Sequence, residues 1–349
     1  MSLRLRLVPY ALPFAAPLTT ARGIVRERRG VLVTLERRGV LGCGEVALWP
    51  GFGSPAAEVE TALAALGELR LDEDSTTTVE AATLAAQSVT AVPEVRGALL
   101  TALLDLVAQA HGCPLAALLS PTHVTILAVG ALAIDVADAE ASVTKGYRTL
   151  KLKVGAAEPA DDVARVQRVR ACVGTAIHLR VDANRAWSEA IATRAATDLA
   201  ACALEFLEEP LANPTPAALA RLRTTGGVPL ALDETLGHGA SEEWLNPEVC
   251  DVAVLKPGFL GGPIATVALG RRAQASGLGV TIGTAFESAI GRAMAMHVAA
   301  ALAPGRACGL GSPLATDLAE MPPIERGEIH LPTTSGLGVR LGAGGVGWA

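Results

Sequence analysis

From about residue 122 to residue 312 the chain repeats one pattern, and that pattern limits its fold more than any other feature. Short apolar runs ("VTILAVGAL", "RTLKLKV", "IHLRVDA", "LEFLEEP", "VPLALDE", "VAVLKPG", "GVTIGTA" and "ACGLGS") alternate with alanine-rich amphipathic stretches. Examples of the latter are "EPADDVARVQRVRACVG" and "GGPIATVALGRRAQASG", each ending in glycine, the residue that most readily terminates a helix. Eight such βα units predict an α/β fold of the (β/α)8 TIM-barrel type. A doubly wound open sheet needs a glycine-rich phosphate turn after its first strand. The sequence "AVGALAIDVADAE" supplies none.

Residues 1 to about 50 read as strands and turns, and 56–70 and 79–119 as helices. The expected division is an α+β domain over 1–118, the barrel over 119–317, and a segment over 318–349 that returns to the first domain. The net charge of −6 lacks the clustered positive surface that nucleic acid requires. The densest basic stretch, "RGIVRERRGVLVTLERRG", reads as a solvated hairpin face or as a loop that meets an anionic substrate. No apolar run reaches the ~18 residues of a membrane span. Prolines 9, 13 and 17 interrupt the opening apolar segment, which fits a first strand better than a signal peptide. Six cysteines without pairing or metal-type spacing imply reduced thiols and a cytoplasmic protein.

In a barrel of this kind, groups at the C-terminal strand ends gather at one mouth. Here the second strand ends in Lys153, after Lys151, and the third carries His178, Arg180 and Asp182 on one face. The fourth ends in Glu208, the fifth in Asp233 and the sixth in Lys256. The separations from Lys153 onward are 29, 26, 25 and 23 residues. Each charged residue therefore holds the same place in its own repeat, in the order Lys, Asp, Glu, Asp, Lys.

Three carboxylates from adjacent strands suit a hard divalent cation, Mg2+ first and Mn2+ as a substitute. A lysine acting as a base must shed its proton near neutral pH. A second cation at ~6 Å would favour that by about two pKa units at an effective dielectric of ~20. Lys151, with Arg180 above it, can play that part for Lys153; alternatively Lys151 pairs with an interior carboxylate. Asn184 either hydrogen-bonds a ligand carboxylate or caps its loop. Glu209 and Glu234 directly follow proposed ligands, so strand alternation turns them away. Trp49 packs on substrate or in the core.

The motifs "KLKVG", "VDANRAW", "LEEPL", "LDET" and "LKPGFLGG" resemble the enolase superfamily, in its muconate-lactonizing subgroup, over nearly the whole chain. The resemblance implies that Asp182, Glu208 and Asp233 are Mg2+ ligands, that Lys153 abstracts a proton α to a carboxylate, and that Lys256 faces it from the other side. A lysine base with Mg2+ is an established pattern of enolase-type sites, not a deduction from spacing. The resemblance also makes the first domain a cap, completed by the C-terminal tail, with "YALPFAAPLTTARG" and "GCGEVALWPGFG" as loops closing over the substrate.

Within the superfamily, "VDANRAW", "GTAFESAIG", "GEVALWPGFG" and "AAALAPGRACGLGSPLATDL" are similar to the o-succinylbenzoate synthase family of menaquinone biosynthesis. That likeness implies dehydration of a succinyl-hydroxycyclohexadiene-carboxylate, a hydro-lyase reaction, with Lys256 protonated and in cation–π contact with the ring. Backbone N–H groups of Gly283 and Thr284, at a helix N-terminus, would receive the succinyl carboxylate, helped by Arg22. The eighth run, "CGLGS", lacks the Asp-x-Asp with which dipeptide epimerases hold an ammonium group, and "TIGTAFES" lacks the histidine of mandelate racemase-type members. N-succinylamino acid racemase, dipeptide epimerase and cycloisomerase activities remain alternatives. A non-catalytic barrel binding metal or an acid sugar is another, opposed by the intact lysine pair. The expected partner is a small-molecule carboxylate, with no nucleic acid or membrane; oligomeric state is not legible.

Overall fold

The computed structural model describes residues 3–20, 23–49, 51–237 and 242–341. The N-terminal domain opens with a long antiparallel hairpin, β1 (Arg4–Thr20) and β2 (Gly23–Arg37), to which β3 (Val40–Val46) adds. The register shifts between Pro13 and Leu18, where the prolines cannot donate ladder hydrogen bonds. Three helices follow, α1 (Ala56–Gly67), α2 (Val79–Val89) and α3 (Pro93–Ala110), then the short α4 (Leu115–Leu119). Helix α3 begins with Pro93, whose fixed φ suits the first turn. It is apolar nearly all round because it is sandwiched. Residues 94, 95 and 97–108 are buried against the sheet and its neighbouring helices.

The expected first barrel strand divides in two: β4 (Ile126–Ala128) joins a separate sheet, and the barrel sheet starts with β5 (Ala131–Ala133). There follow α5 (Val136–Thr144), β6 (Thr149–Lys153), α6 (Pro159–Val173), β7 (His178–Asp182), α7 (Glu189–Leu199), β8 (Phe206–Glu208) and α8 (Pro216–Gly226). It continues through β9 (Leu230–Leu232), β10 (Val252–Leu255), α9 (Pro263–Ala275), β11 (Gly279–Ile282) and α10 (Ala289–Leu302). Strands β5 to β11 form one seven-stranded parallel sheet in chain order. The eighth expected strand is weaker. Its glycine-rich run touches the two edges through the isolated bridges Val129–Cys308 and Gly283–Gly309, which close the ring. Glycines at 309 and 311 offer no side chain to pack and weaken a ladder.

The tail adds β12 (Ile324–Glu325) and β13 (Glu328–His330), the latter pairing with β4. Beyond it, Leu115 N–H donates to Gly336 O (2.8 Å) and Gly336 N–H to Cys113 O (3.0 Å), so the tail also grips the N-terminal domain. The fold is thus a TIM-type barrel under an α+β cap that the tail helps complete. All six cysteines are free. No helix among the described residues is long and apolar enough to cross a membrane.

Candidate active site

Strand β6 explains how two lysines come to lie side by side. Leu150 and Leu152 are fully buried and face the helix layer, so Lys151 and Lys153 face the barrel interior. The parallel register sets Lys151 beside Arg180, Lys153 beside Asp182, and Asp182 beside Glu208. Asp233 lies one residue past β9 and Lys256 one past β10. All six candidate residues implied by the repeat spacing, Lys151 included, therefore meet at one mouth.

Their bonds are specific. Lys151 Nζ bridges Glu208 Oε1 (2.6 Å) and Asp182 Oδ2 (2.9 Å). Lys153 Nζ donates to Asp182 Oδ2 and to Asn184 Oδ1, both at 2.7 Å. Across the mouth, Lys256 Nζ donates to Asp233 Oδ2 (2.5 Å). The Lys153 side chain is 49% exposed and the Lys256 side chain 13%. One lysine is open to the mouth and the other is covered.

Of the two readings of Lys151, the ion pair is the one observed. Burial alone would lower its pKa, but Asp182 and Glu208 outweigh that and hold it well above the ordinary value. Arg180 does not sit above it as a second cation. Its Nε is paired to Glu205 Oε2 (2.7 Å), its Nη1 donates to Ala307 O (2.8 Å), and its guanidinium lies 4.8 Å from the Phe206 ring centroid. It belongs to the packing deeper in the barrel, because it precedes Asp182 by two residues on β7.

The carboxylates are electrostatically unequal. Burial opposes ionisation of Asp182, yet Lys151 and Lys153 hold its carboxyl well below the usual range. Glu208 is raised by burial and by Asp182, and Asp233 is raised by burial, with Glu234 and Glu208 adding to it against Lys256. Burial pulls Lys256 down, but Asp233 and Glu234 carry it above its ordinary value. Four carboxyl groups, those of Asp182, Glu208, Asp233 and Glu234, thus meet three lysines at the mouth. One buried oxygen, Glu234 Oε2, has no hydrogen-bond partner. Oxygen donors of this kind, one of them unpartnered, fit a hard divalent cation. Among the described residues no three acidic, histidine or cysteine side chains yet form a closed metal cage. Lys151, Lys153 and Lys256 each donate to an oxygen of these carboxylates.

Several supports were not legible beforehand. Arg165 Nη2 donates to Lys153 O (2.6 Å) and its Nη1 to Ile134 O (2.8 Å), tying the ends of β5 and β6 together; Asp162 holds it in turn at 2.7 Å. Helix spacing from Asp162 to Arg165 was the available signal. Glu209 pairs with Arg185 (3.0 Å) and accepts from the N–H groups of Asp233 and Thr235 (both 2.7 Å). Glu234 departs from the expectation that it turns away. A 3-10 turn over Glu234–Leu236 replaces the strand, and Glu234 Oε1 accepts from Asn184 Nδ2 (2.9 Å). Asn184 thus orients Lys153 and Glu234, while its N–H reaches Asp182 Oδ1 (3.0 Å).

The expected substrate donors fare less well. Gly283 N–H is already taken by Leu255 O (2.9 Å), and helix α10 begins only at Ala289, so position 283 is a strand end rather than a helix N-terminus. Thr284 directs its hydroxyl to Gly309 O (3.1 Å). Arg22 lies outside the described residues. Trp49 is half-buried and meets the rings of Phe14 and Phe286, centroids 6.4 and 5.3 Å away, where cap meets barrel.

A barrel with lysines facing one another across strand-end carboxylates, under an α+β cap, defines the enolase class of enzyme. The family model "Mandelate racemase / muconate lactonizing enzyme, N-terminal domain" matches residues 3–120, and "Enolase C-terminal domain-like" matches residues 135–343. Chloromuconate cycloisomerase of Pseudomonas putida is 33% identical, with 96% of this chain and 94% of that protein covered. The o-succinylbenzoate synthase of Mycobacterium tuberculosis is 41% identical over 48% of this chain and 50% of its own length. The structure of muconate lactonizing enzyme from Pseudomonas fluorescens, complexed with muconolactone, superposes with a TM-score of 0.87 at 26% identity, covering 98% of this chain and 96% of that one. The chain belongs to the enolase superfamily, in its muconate-lactonizing subgroup, whose members bind Mg2+ in the active site.

Proposed function

We propose that the protein is an o-succinylbenzoate synthase, a hydro-lyase of menaquinone biosynthesis working in the cytoplasm on a small-molecule carboxylate. The observation that carries the chemistry is the opposed pair Lys153 and Lys256, on either flank of Asp182, Glu208 and Asp233. Asp182, Glu208 and Asp233 would hold Mg2+ or Mn2+, and the bound ion would supply Lewis-acid stabilisation of the substrate carboxylate. Lys153, accessible and oriented by Asn184 and Arg165, removes the proton α to that carboxylate. Lys256, held charged by Asp233, faces the negative charge of the enediolate from the other side. The ring hydroxyl departs, water is lost overall, and the ring becomes aromatic.

The choice of a ring substrate rests on two features. No acidic side chain stands in the eighth run, 307–312, so nothing there matches a substrate ammonium. The Lys256 ammonium already lies on an aromatic face, that of Phe52. The likeness to the mycobacterial synthase favours the same reading. Cycloisomerisation is the second reading, favoured by similarity to chloromuconate cycloisomerase along nearly the whole chain.

The test is to incubate the protein with Mg2+ and the cyclohexadiene substrate and follow loss of its ultraviolet absorbance, with Lys153→Ala and EDTA-treated protein alongside. Turnover that disappears in both controls supports the synthase. Turnover of muconate or chloromuconate instead supports the cycloisomerase, and deuterium exchange into N-succinylamino acids or dipeptides supports a racemase or epimerase.

A further inference from the structure

The Nζ of Lys256 stands 3.7 Å from the centroid of the Phe52 ring. An aromatic face holds a cation at up to about 6 Å. The ring comes from the cap and the lysine from the barrel, so this contact crosses the site. Its backbone is fixed on both sides. Phe52 N–H donates to Trp49 O (3.0 Å), and Ser54 donates to the Glu94 carboxylate through N–H (2.7 Å) and Oγ (2.9 Å). Between these tethers Gly51 and Gly53 take φ of +88° and +73°, where a side chain is disfavoured. The Phe52 ring itself is only half-buried, with Phe259 as its aromatic neighbour at 5.5 Å.

Asp233 takes one side of the Lys256 ammonium, and Phe52 covers the side toward the cavity. That cavity, lined by Phe52, Arg185, Asp233, Lys256 and Phe259 among others, measures only about 90 Å3. Small-molecule sites are typically about 300–1,000 Å3. Phe52 forms part of the wall of this small cavity beside Lys256.

We propose that Phe52 is a place-holder: it covers Lys256 until a substrate enters and yields to one whose own π face takes the same side of the ammonium. The proposal rests on the function proposed above. A π-bearing carboxylate exchanges one cation–π contact for another. A saturated one breaks the contact without replacing it.

The experiment uses Phe52→Leu, which keeps apolar bulk and removes the π face, with Phe52→Tyr as the conservative variant. The first readout is the rate at which a small water-soluble amine reagent modifies Lys256 in the intact protein, measured by peptide mass spectrometry against exposed Lys145. Modification should be several-fold faster in F52L and near wild type in F52Y; equal rates in F52L and wild type overturn the proposal. The second readout is calorimetric affinity for benzoate and cyclohexanecarboxylate with Mg2+ present. F52L should bind cyclohexanecarboxylate and benzoate more tightly by the same factor, about 2- to 30-fold, the range a removed cation–π contact converts to, because either ligand is spared the same contact. Weaker binding of both would make Phe52 a substrate-contacting wall instead and overturn the place-holder. Should neither ligand bind, the modification rates decide. Faster modification in F52L without turnover of the cyclohexadiene in wild type would sink the synthase and leave the place-holder standing.

Discussion

Asp105 and His297 hold opposite sides of the same peptide residue, Leu337. Asp105 Oδ1 accepts the Leu337 N–H (2.9 Å), and His297 Nε2 lies 3.1 Å from Leu337 O. Ala116 N–H donates to His297 Nδ1 (3.1 Å), which leaves the proton on Nε2 and makes it the donor. Asp105 belongs to the cap helix α3, His297 to the barrel helix α10, and Leu337 to the tail. One peptide thereby joins the three parts of the chain.

This clasp has a defined pH behaviour. Burial lowers His297 to about 4, and burial raises Asp105 to about 6. For His297 the stabilising contribution is complete above its unfolded value near 6.5 and is lost as pH falls through about 4. For Asp105 the contribution is complete below 3.8 and is lost as pH rises through about 6. Each is worth about 3 kcal/mol across its window, with opposite sign. The wild-type clasp should therefore be nearly flat between pH 6 and 4. Asp105→Asn should lose stability steeply over that interval, read from melting temperatures at pH 7 and 4.5 by circular dichroism. Equal slopes for wild type and variant would refute the offset.

Lys153→Ala should lower kcat by about 10²- to 10⁴-fold, the usual weight of a positioned base, with little change in melting temperature because the side chain is half exposed. Lys256→Ala should differ. It leaves buried Asp233 without its cation and should destabilise the metal-free protein by about 3–5 kcal/mol, besides lowering kcat. Steady-state kinetics paired with denaturant titrations separate the two behaviours.

Mg2+ should raise the melting temperature of the wild type, because an ion bound only by the folded state stabilises it by mass action. Asp233→Asn and Glu208→Gln should blunt that rise. A rise unaffected by either substitution would place the ion elsewhere.

Arg165→Met should lower kcat by roughly tenfold while leaving the melting temperature within a few degrees. Arg165 acts by fixing the backbone of Lys153, and misplacement of a reacting group by a fraction of an ångström is costly to rate. A change in KM alone would count against this positioning role.

The seam between cap and barrel is tight at Gly97 on α3. A Cβ there would stand 2.6 Å from Gly262 N and 2.9 Å from Gly261 C, both backbone atoms that cannot swing away. Gly97→Ala should destabilise the protein by about 1–3 kcal/mol despite the better helix propensity of alanine, measured by chemical denaturation. A neutral or stabilising result would show that the seam can open.

The repeat and the strand-end charges belong to the sequence itself. A strand fixes side-chain direction with period two, and a βα unit has a nearly constant length, so Lys153, Asp182, Glu208, Asp233 and Lys256 were assignable to one mouth from spacing alone. Strand alternation failed at Glu234 because it lapses where a strand gives way to a 3-10 turn. It also gave no means of choosing a partner for Lys151, since an ion pair depends on distances between strands. The glycines of "CGLGS" kept the eighth run from becoming a full strand, and the strand end at Gly283 consumed an N–H that sequence reasoning had assigned to substrate. Tertiary structure alone decided that Lys151 bridges Asp182 and Glu208, that Phe52 lies on Lys256, and that Asp105 and His297 meet at Leu337. Those contacts join segments between 31 and 232 residues apart. Their geometry is set by loop conformation and packing, which leave no period along the chain.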